Sequence, residues 1–408
     1  NEFHKRGLRV VMDVVYNHTF GNEMFQGITM KYFDGLNLSG CGNSVDSGKP
    51  MVSRFIQDSL EFWVSEYKID GFRFDLVGIF YYNEYKKWGE YLNTAFPDRN
   101  IIIYGEPWNG YASDPNEAQK MRMGKCPATA SGRVGVFNGK YREDIKGNND
   151  GTTRGYMFNG TTSWTGAIAV GMRGSIMAVK STNPLANDWD SMFAYDPEQS
   201  INYISAHDNY CLWDKIKHCG EDNAYGRRVL KFGNAMILTS QGIPFIHGGD
   251  EMLRTKVVNG VWTYAHNSYN APDDYNKYRW DWKVTNAAIF NYHKELIALR
   301  KAHPGFRLTS WDDINSRMRT EMSSAPAGIG VVTNASLPYN VYVSLIDENN
   351  NVGDGYELIV VFNSGDNYTY TLPSGTWKKV FDINGAKNEV VTTSAICEGT
   401  AVTVFAKQ

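Results

Sequence analysis

The stretch Ile69-Asp70-Gly71-Phe72-Arg73-Phe74-Asp75 decides the fold. It is a short apolar and aromatic run that closes on a carboxylate, as expected of a parallel strand buried on both faces that delivers a polar side chain at its end. Upstream, Leu8 to Val15 reads the same way and runs into Asp13-Val14-Val15-Tyr16-Asn17-His18. Downstream, Asn100 to Glu106 carries three consecutive isoleucines and leads into Tyr104-Gly105-Glu106-Pro107-Trp108. Between the first two strands, Ile56, Leu60, Trp63, Val64 and Tyr67 recur at i, i+4, i+7, i+8 and i+11, one face of a helix. Tyr82 to Ala95 reads as the next helix. The alternation βαβαβ implies a parallel sheet.

Further along, Val134 to Asn138 and Ser200 to Ser205 read as strands, the latter leading into Ser205-Ala206-His207-Asp208-Asn209. Tyr225 to Thr239 reads as a helix, Ile243 to His247 as the last strand of this part, and Ala287 to Lys301 as a helix with Ile289, Phe290, Leu296 and Ile297 on one stripe. The stretch from Pro107 to about Met192 is rich in Gly, Asn, Thr and Ser and is expected to form long binding loops. Side chains at the ends of successive parallel strands converge when the sheet closes into a (β/α)8 barrel, whose C-terminal rim gathers catalytic groups. From Leu8 onward there are six such strands, where a closed barrel needs eight. The predicted fold class is therefore α/β: a (β/α)8 TIM barrel lacking its first two strands over residues 1–307, followed at 308–408 by a small antiparallel β-sandwich. The second part follows from short alternating runs such as Tyr356 to Val361, Tyr368 to Leu372 and Ala401 to Phe405. Unpaired edges predict association with a separate N-terminal fragment that completes the barrel, or poor solubility.

A formal net charge of −3 with 21% charged residues over 408 positions creates no single-sign field, so neither nucleic acid nor an anionic membrane is indicated as partner. A neutral partner fits better, and the 11 Trp and 25 Tyr supply flat faces for stacking on sugar rings as well as for the core. The five cysteines are scattered, with no CxxC pair and no metal-binding spacing; a Cys211–Cys219 bridge is left open. No apolar run is long enough for a membrane span and no signal peptide is visible. Secreted or cell-surface localisation is favoured over cytoplasmic.

Cleaving an acetal such as a glycosidic bond requires a proton for the leaving oxygen and negative charge beside an oxocarbenium-like carbon. Two carboxyls about 5 Å apart do this with retention of configuration. Asp75, Glu106 and Asp208 are the candidates for nucleophile, acid/base and supporting carboxylate. Arg73 lies two residues before Asp75 on the same strand face, where its cation keeps Asp75 ionised. Glu106, followed by Pro107 and Trp108, is expected in a more apolar setting that raises its pKa toward an acid's working value. His18 and His207 are placed to donate to sugar hydroxyls. Taken singly these features are weak, since a lone Asp after a strand is commonly a helix cap and an Arg-x-Asp pair a plain ion pair. Asp13, inside its strand, is expected to hold loops together. Joint occurrence in order at strand ends distinguishes the others.

The four segments resemble the conserved regions of the α-amylase family of glycoside hydrolases. Gly71-Phe72-Arg73-Phe74-Asp75-Leu76-Val77-Gly78, Tyr104-Gly105-Glu106-Pro107-Trp108, His207-Asp208-Asn209-Tyr210-Cys211-Leu212-Trp213-Asp214, Met252-Leu253-Arg254-Thr255-Lys256 and Asn267-Ser268-Tyr269-Asn270-Ala271-Pro272-Asp273 are similar to type I pullulanases more than to α-amylases. The resemblance implies Asp75 as nucleophile, Glu106 as acid/base and Asp208 as transition-state stabiliser, with His18, Arg73, Trp108, His207, Asn209, Arg254 and Tyr269 binding substrate. It implies α-1,6 branch linkages of pullulan, amylopectin and limit dextrins as substrate. Isoamylase-like hydrolysis, branching transglycosylation or non-catalytic glucan binding remain as alternatives. The family's Tyr-Asn-Trp-Gly-Tyr-Asp-Pro segment is absent, and Gly139 stands where relatives usually carry Asp. No cofactor is required by this reading; calcium, which amylases ligate at the position matching Asn17, is left open.

Overall fold

The computed structural model describes residues 1–21, 23–110, 113–158, 166–350 and 355–408. The run around Phe72 forms the second strand of a sheet in which β1 (Val11–Val14), β2 (Gly71–Phe74), β3 (Ile102–Gly105), β4 (Val134–Phe137), β5 (Ser200–Asn202) and β6 (Ile243–Pro244) follow one another in sequence order. From β1 to β5 the pairs are parallel, with Met12 opposite Phe72, Arg73 opposite Tyr104, Tyr104 opposite Gly135 and Phe137 opposite Ile201. Sequential parallel order without a reversal is that of a barrel wall, whereas a doubly wound sheet reverses at a switch point. The structure is thus the partial (β/α) barrel expected from the strand pattern.

Contacts divide the chain into two compact units, Asn1–Phe137 with Val179–Ile201, and Asn138–Ala178 with Asn202–Gln408. In the first, Phe72 and Phe74 of β2 are fully buried against Ile56, Leu60, Val64, Trp88 and Leu92 from the two crossover helices, Pro50–Tyr67 and Tyr82–Ala95. Phe74 stacks on Trp88 with ring centroids 5.9 Å apart. The helix stripe runs as predicted until its last turn, where Tyr67 is exposed and packs on Trp63 at the surface instead. β1 has the open edge that a count of six strands implies, and so is not buried on both faces as its composition suggests. Leu8, Val11 and Val15 are exposed because β1 is the edge of this sheet and one flank of the strand has no neighbour in it. The loose stretch after Pro107 is also more structured than its composition suggests: Met121, Met123 and Cys126 are buried in the same core. Their irregular spacing matches neither period, so the burial leaves no pattern to read.

Asp70, just ahead of β2, ties three segments by accepting from Val10 N–H (2.8 Å), His4 Nε2 (2.7 Å) and Arg99 Nη2 (2.9 Å). Burial by itself would raise its carboxyl, but the Val10 amide, His4 and Arg99 outweigh burial and hold it below the usual range. A depressed folded value means that the stabilisation is present above the unfolded value and lost as pH falls through the folded one. Asp70→Asn is therefore expected to cost about 1–2 kcal/mol at neutral pH, and the gap to the parent should close below about pH 4. Urea unfolding at neutral and acid pH checks this; a gap independent of pH would remove the charge of Asp70 from the account.

In the second unit, the helix Ala224–Thr239 starts at Asn223, whose side chain accepts from Gly226 N–H (3.0 Å). The helix Ala287–Ala302 buries Ile289, Tyr292, His293, Leu296 and Leu299, while Ile297 is exposed. The buried face is rotated from the expected stripe to take in Tyr292 and His293, and Tyr292 packs on Phe381 with centroids 5.2 Å apart. Cys211 and Cys219 do not pair, and all five cysteines are free thiols. The helix Leu212–His218 lies between the two, separating them by about 12 Å of helix rise, beyond the reach of a disulfide.

The same unit holds a seven-stranded sheet and a two-stranded one. The larger sheet, built from β7 (Met318–Met322), β8 (Val332–Thr333), β9 (Val341–Ile346), β10 (Leu358–Asn363), β12 (Trp377–Asp382), β13 (Gly385–Val391) and β15 (Ala401–Lys407), has the order β13-β12-β15-β10-β9-β7-β8. Its pairs are antiparallel except β7 with β8, where Glu321 faces Val332 in parallel register. β11 (Tyr368–Thr371) and β14 (Ser394–Cys397) form the smaller sheet. Tyr370, Ala395 and Cys397 of this pair share a core with Val343, Ile359, Val361, Trp377 and Phe405 of the larger sheet, a sandwich arrangement.

Candidate active site

In the first unit the chemistry is organised by Arg73. Its side chain is buried, and its Nη1 donates to Asp13 Oδ1 on β1 (2.8 Å) and to Asp75 Oδ1 at the end of β2 (3.1 Å). Its Nη2 lies 2.6 Å from Glu106 Oε1, just past the end of β3. One guanidinium therefore ties carboxylates from three adjacent strands. Burial acts against its charge, yet Glu106, Asp13 and Asp75 outweigh burial and hold Arg73 above its ordinary value. The expectation that Arg73 and Asp75 share a strand face is met. Asp13 does not tie loops; it sits within β1 and pairs across to β2.

Glu106 differs from expectation. Its neighbours are not only apolar: besides Arg73, the backbone N–H of Leu76 donates to Glu106 Oε2 (3.1 Å). Leu76 adopts φ 40°, a left-handed conformation that turns the chain directly after Asp75 and aims this amide at Glu106. Pro107 and Trp108 signal an apolar setting in sequence, whereas the contacts to Arg73 and Leu76 come from the neighbouring strand. The two carboxylates still differ in exposure, 25% for the Asp75 side chain and 8% for Glu106.

Asn17, considered from the sequence only as a position matching a calcium ligand, is instead a partner of Asp75. It is fully buried, and its Nδ2 donates to the Asp75 carbonyl (2.9 Å) and to Asp75 Oδ2 (2.8 Å). With the amide oriented by those two acceptors, its Oδ1 meets His18 Nδ1 at 2.5 Å, so that nitrogen carries the proton. Asp75 is thereby gripped on both oxygens, by Arg73 and by Asn17. Its position next to His18, after a strand, was the signal that could have found it. The half-buried Trp108 donates its backbone N–H to the Glu106 carbonyl (2.9 Å). Beside it only glycine fits at position 78, because a Cβ there would sit 2.4 Å from the Trp108 carbonyl.

The second unit carries the fourth motif on the loop after β5. His207 and Asp208 are exposed, with His207 Nε2 3.6 Å from Asp208 Oδ2. The amide of Asn209 is engaged from a distant segment, donating to Asp150 Oδ1 (2.8 Å) and accepting from Asn149. Asp150 in turn pairs with His266 at 2.9 Å. Arg254 donates to the carbonyls of Gly248 (2.9 Å) and Asn276 (2.7 Å), and Tyr269 is 77% exposed. The structure thus gathers His18, Arg73, Asp75 and Glu106 around one ion cluster, and it sets His207, Asp208 and Asn209 on one loop held from residues 149 and 150.

Among the described residues no group of three or more His, Cys, Asp or Glu side chains could hold a metal ion. Calcium at Asn17 does not fit its contacts, since the amide nitrogen faces Asp75 and the oxygen is taken by His18.

Carboxylates stand at successive strand ends, one of them gripped by an arginine two residues earlier. The sequence profile of the α-amylase catalytic domain matches residues 43–281. The chain belongs to the α-amylase family. Among its relatives in the family, the pullulanase of Bacillus subtilis (strain 168) is 35% identical over 331 residues, which is 78% of this chain and 43% of that protein. The solved structure of the pullulanase from Bacillus acidopullulyticus superposes with a TM-score of 0.84 at 31% identity, over 99% of this chain and 47% of that one. The type I pullulanase of Bacillus subtilis str. 168, solved in complex with maltose, gives 0.82 at 30% identity, over 100% of this chain and 55% of that one. The chain spans about half the length of these family members.

Proposed function

We propose that the chain carries the catalytic carboxylates of a retaining glycoside hydrolase that cleaves α-1,6-glucosidic branch linkages in pullulan, amylopectin and limit dextrins. The observation that carries this reading is the Asp75–Arg73–Glu106 cluster at the ends of β2 and β3. The names of the relatives, and the maltose bound to one of them, support an α-glucan as the ligand.

In this mechanism Glu106 gives its proton to the glycosidic oxygen while Asp75 attacks the anomeric carbon, and the bond to the leaving chain breaks. Water, deprotonated by Glu106, then releases the glycosyl group from Asp75. Arg73 and Asn17 orient the Asp75 carboxylate for that attack. Asp208 is assigned the support of positive charge at the anomeric carbon. No step requires an organic cofactor.

Incubation with pullulan tests the proposal. Maltotriose as main product, with a matching rise in reducing ends, is the expected result. Products rearranged without new reducing ends would make the protein a branching enzyme instead, and glucan binding without products would leave a binding role. Trp108→Ala is expected to weaken maltooligosaccharide binding by about 1–3 kcal/mol if its indole is a stacking platform. Calorimetric titration measures this, and unchanged affinity would return Trp108 to packing.

A further inference from the structure

Asp208 stands on a loop that is anchored by the side chains of Ser205 and Asn209 but not by those of His207 and Asp208. Neither His207 nor Asp208 is buried, and their polar atoms approach no nearer than 3.6 Å. The backbone on both sides of Asp208 is held from elsewhere. Lys256 Nζ donates to the carbonyl of His207 and to the carbonyl of Asn209 (2.9 Å), straddling the residue between them. Lys256 is 1% exposed, so this ammonium has little access to water and depends on those carbonyls.

The clamp is itself fixed. The Lys256 backbone N–H donates to Asp214 Oδ2 (2.6 Å), and the Thr255 hydroxyl donates to Asp214 Oδ1. Asp214 is fully buried in the first turn of the helix Leu212–His218, a few residues beyond the Asp208 loop. The chain thus closes a short circuit: Asp208 loop, helix, Asp214, Lys256, and back to the carbonyls of 207 and 209. Asn209 adopts φ 58°, a left-handed conformation in which a non-glycine residue is retained by its surroundings. Its side chain is tied to Asn149 and Asp150, and its carbonyl to Lys256.

We propose that Lys256 is a positioning residue that sets the direction of the Asp208 carboxylate by clamping the peptide planes on either side of it. The inference rests on the supporting role proposed for Asp208 above. Two carbonyls converging on one ammonium fix the orientation of both peptide units flanking the Asp208 Cα, and so fix the vector along which its side chain leaves the backbone. A neutral side chain of equal length would fill the space but leave both carbonyls without their donor. Burial pulls the ammonium down from its ordinary value and Arg254 adds to this, while Cys211, Asp208 and Asp214 act in the opposite sense.

The test uses Lys256→Met, which keeps the stem and deletes the donors, and Lys256→Ala, which removes the side chain beyond Cβ. With pullulan as substrate, Lys256→Met is expected to lower kcat by about 10²-fold at nearly unchanged KM, the scale of a misplaced catalytic group. In Lys256→Ala, n-propylammonium, which reproduces the side chain from Cγ to Nζ, is expected to restore part of kcat, and it should do nothing for Lys256→Met. Amide hydrogen exchange over residues 205–210 should rise in both variants. Parent-like kcat in Lys256→Met would overturn the proposal, as would a loss that follows global stability and is not restored by the amine. If the parent protein releases no product from any α-glucan, the functional reading fails. Hydrogen exchange then still decides the clamp: unchanged exchange over 205–210 in Lys256→Met would overturn it as well.

Discussion

Asp75→Asn is expected to reduce pullulan cleavage by about 10³-fold or more in kcat, which corresponds to about 4 kcal/mol of lost transition-state stabilisation, while glucan affinity stays within a few-fold of the parent. The carboxamide is nearly isosteric but cannot form the glycosyl ester. The geometry adds a second consequence. Asp75 accepts from Arg73 on Oδ1 and from Asn17 on Oδ2. An asparagine offers a single acceptor oxygen, so its NH2 must face either the guanidinium or the Asn17 amide, donor against donor. A stability loss of about 1–3 kcal/mol should therefore accompany the loss of turnover. Kinetics, binding and thermal unfolding of the same variant separate the two effects. Turnover at the parent's rate would remove Asp75 from the nucleophile role, and parent-like stability would remove the two-sided grip.

Arg73→Met is expected to have the largest effect on stability. The guanidinium is buried and contacts Asp13, Asp75 and Glu106. Removing it leaves like charges close together, with Glu106 only 8% exposed at its side chain. Breaking a buried pair by deleting one partner costs about 3–5 kcal/mol, because the remaining charge stays buried without compensation. The pH dependence has a definite sign. Carboxylates stripped of their cation in the folded variant bind protons more tightly than in the unfolded chain, so the variant loses stability as pH rises through the carboxylate range. The difference from the parent should be greatest at neutral pH and shrink toward about pH 4. Denaturant unfolding across that range checks it, and a difference that does not vary with pH would mean that packing of the arginine stem, not its charge, is what matters. Turnover should also fall sharply, since the same group orients Asp75.

The barrel part was legible because its signals are local. Phe72 and Phe74 on either side of Arg73, Ile101 to Ile103 and Val134 to Val136 are short apolar-rich runs with a polar residue soon after the end, and such runs form parallel strands wherever crossover helices cover them. The period of two also placed Arg73 on the same side as Asp75. Where reading failed, the missing information was nonlocal. Leu8, Val11 and Val15 have the composition of a buried strand and lie at an edge. Ile297, placed on the expected stripe, is exposed, and Tyr292 is buried instead because Phe381 arrives from another part of the chain. The two cysteines flanking Leu212–His218 are close in sequence and held apart by the helix between them.

The sequence by itself determined the strand order, the carboxylates at strand ends and the family, since period, strand-end position and motif spelling are properties of consecutive residues. Only the tertiary structure decided what each carboxylate meets. Asn17 reaches Asp75 from 58 residues away, and Lys256 reaches the carbonyls beside Asp208 across 49 and 47 residues. Such meetings depend on the register of strands and the path of loops that bring distant segments together, and on the balance of burial against pairing that then sets each charge. No local pattern encodes that register, so the carboxylates proposed to act and Arg73 beside them could be picked out from the sequence, while the contacts of Asn17 and Lys256 could not.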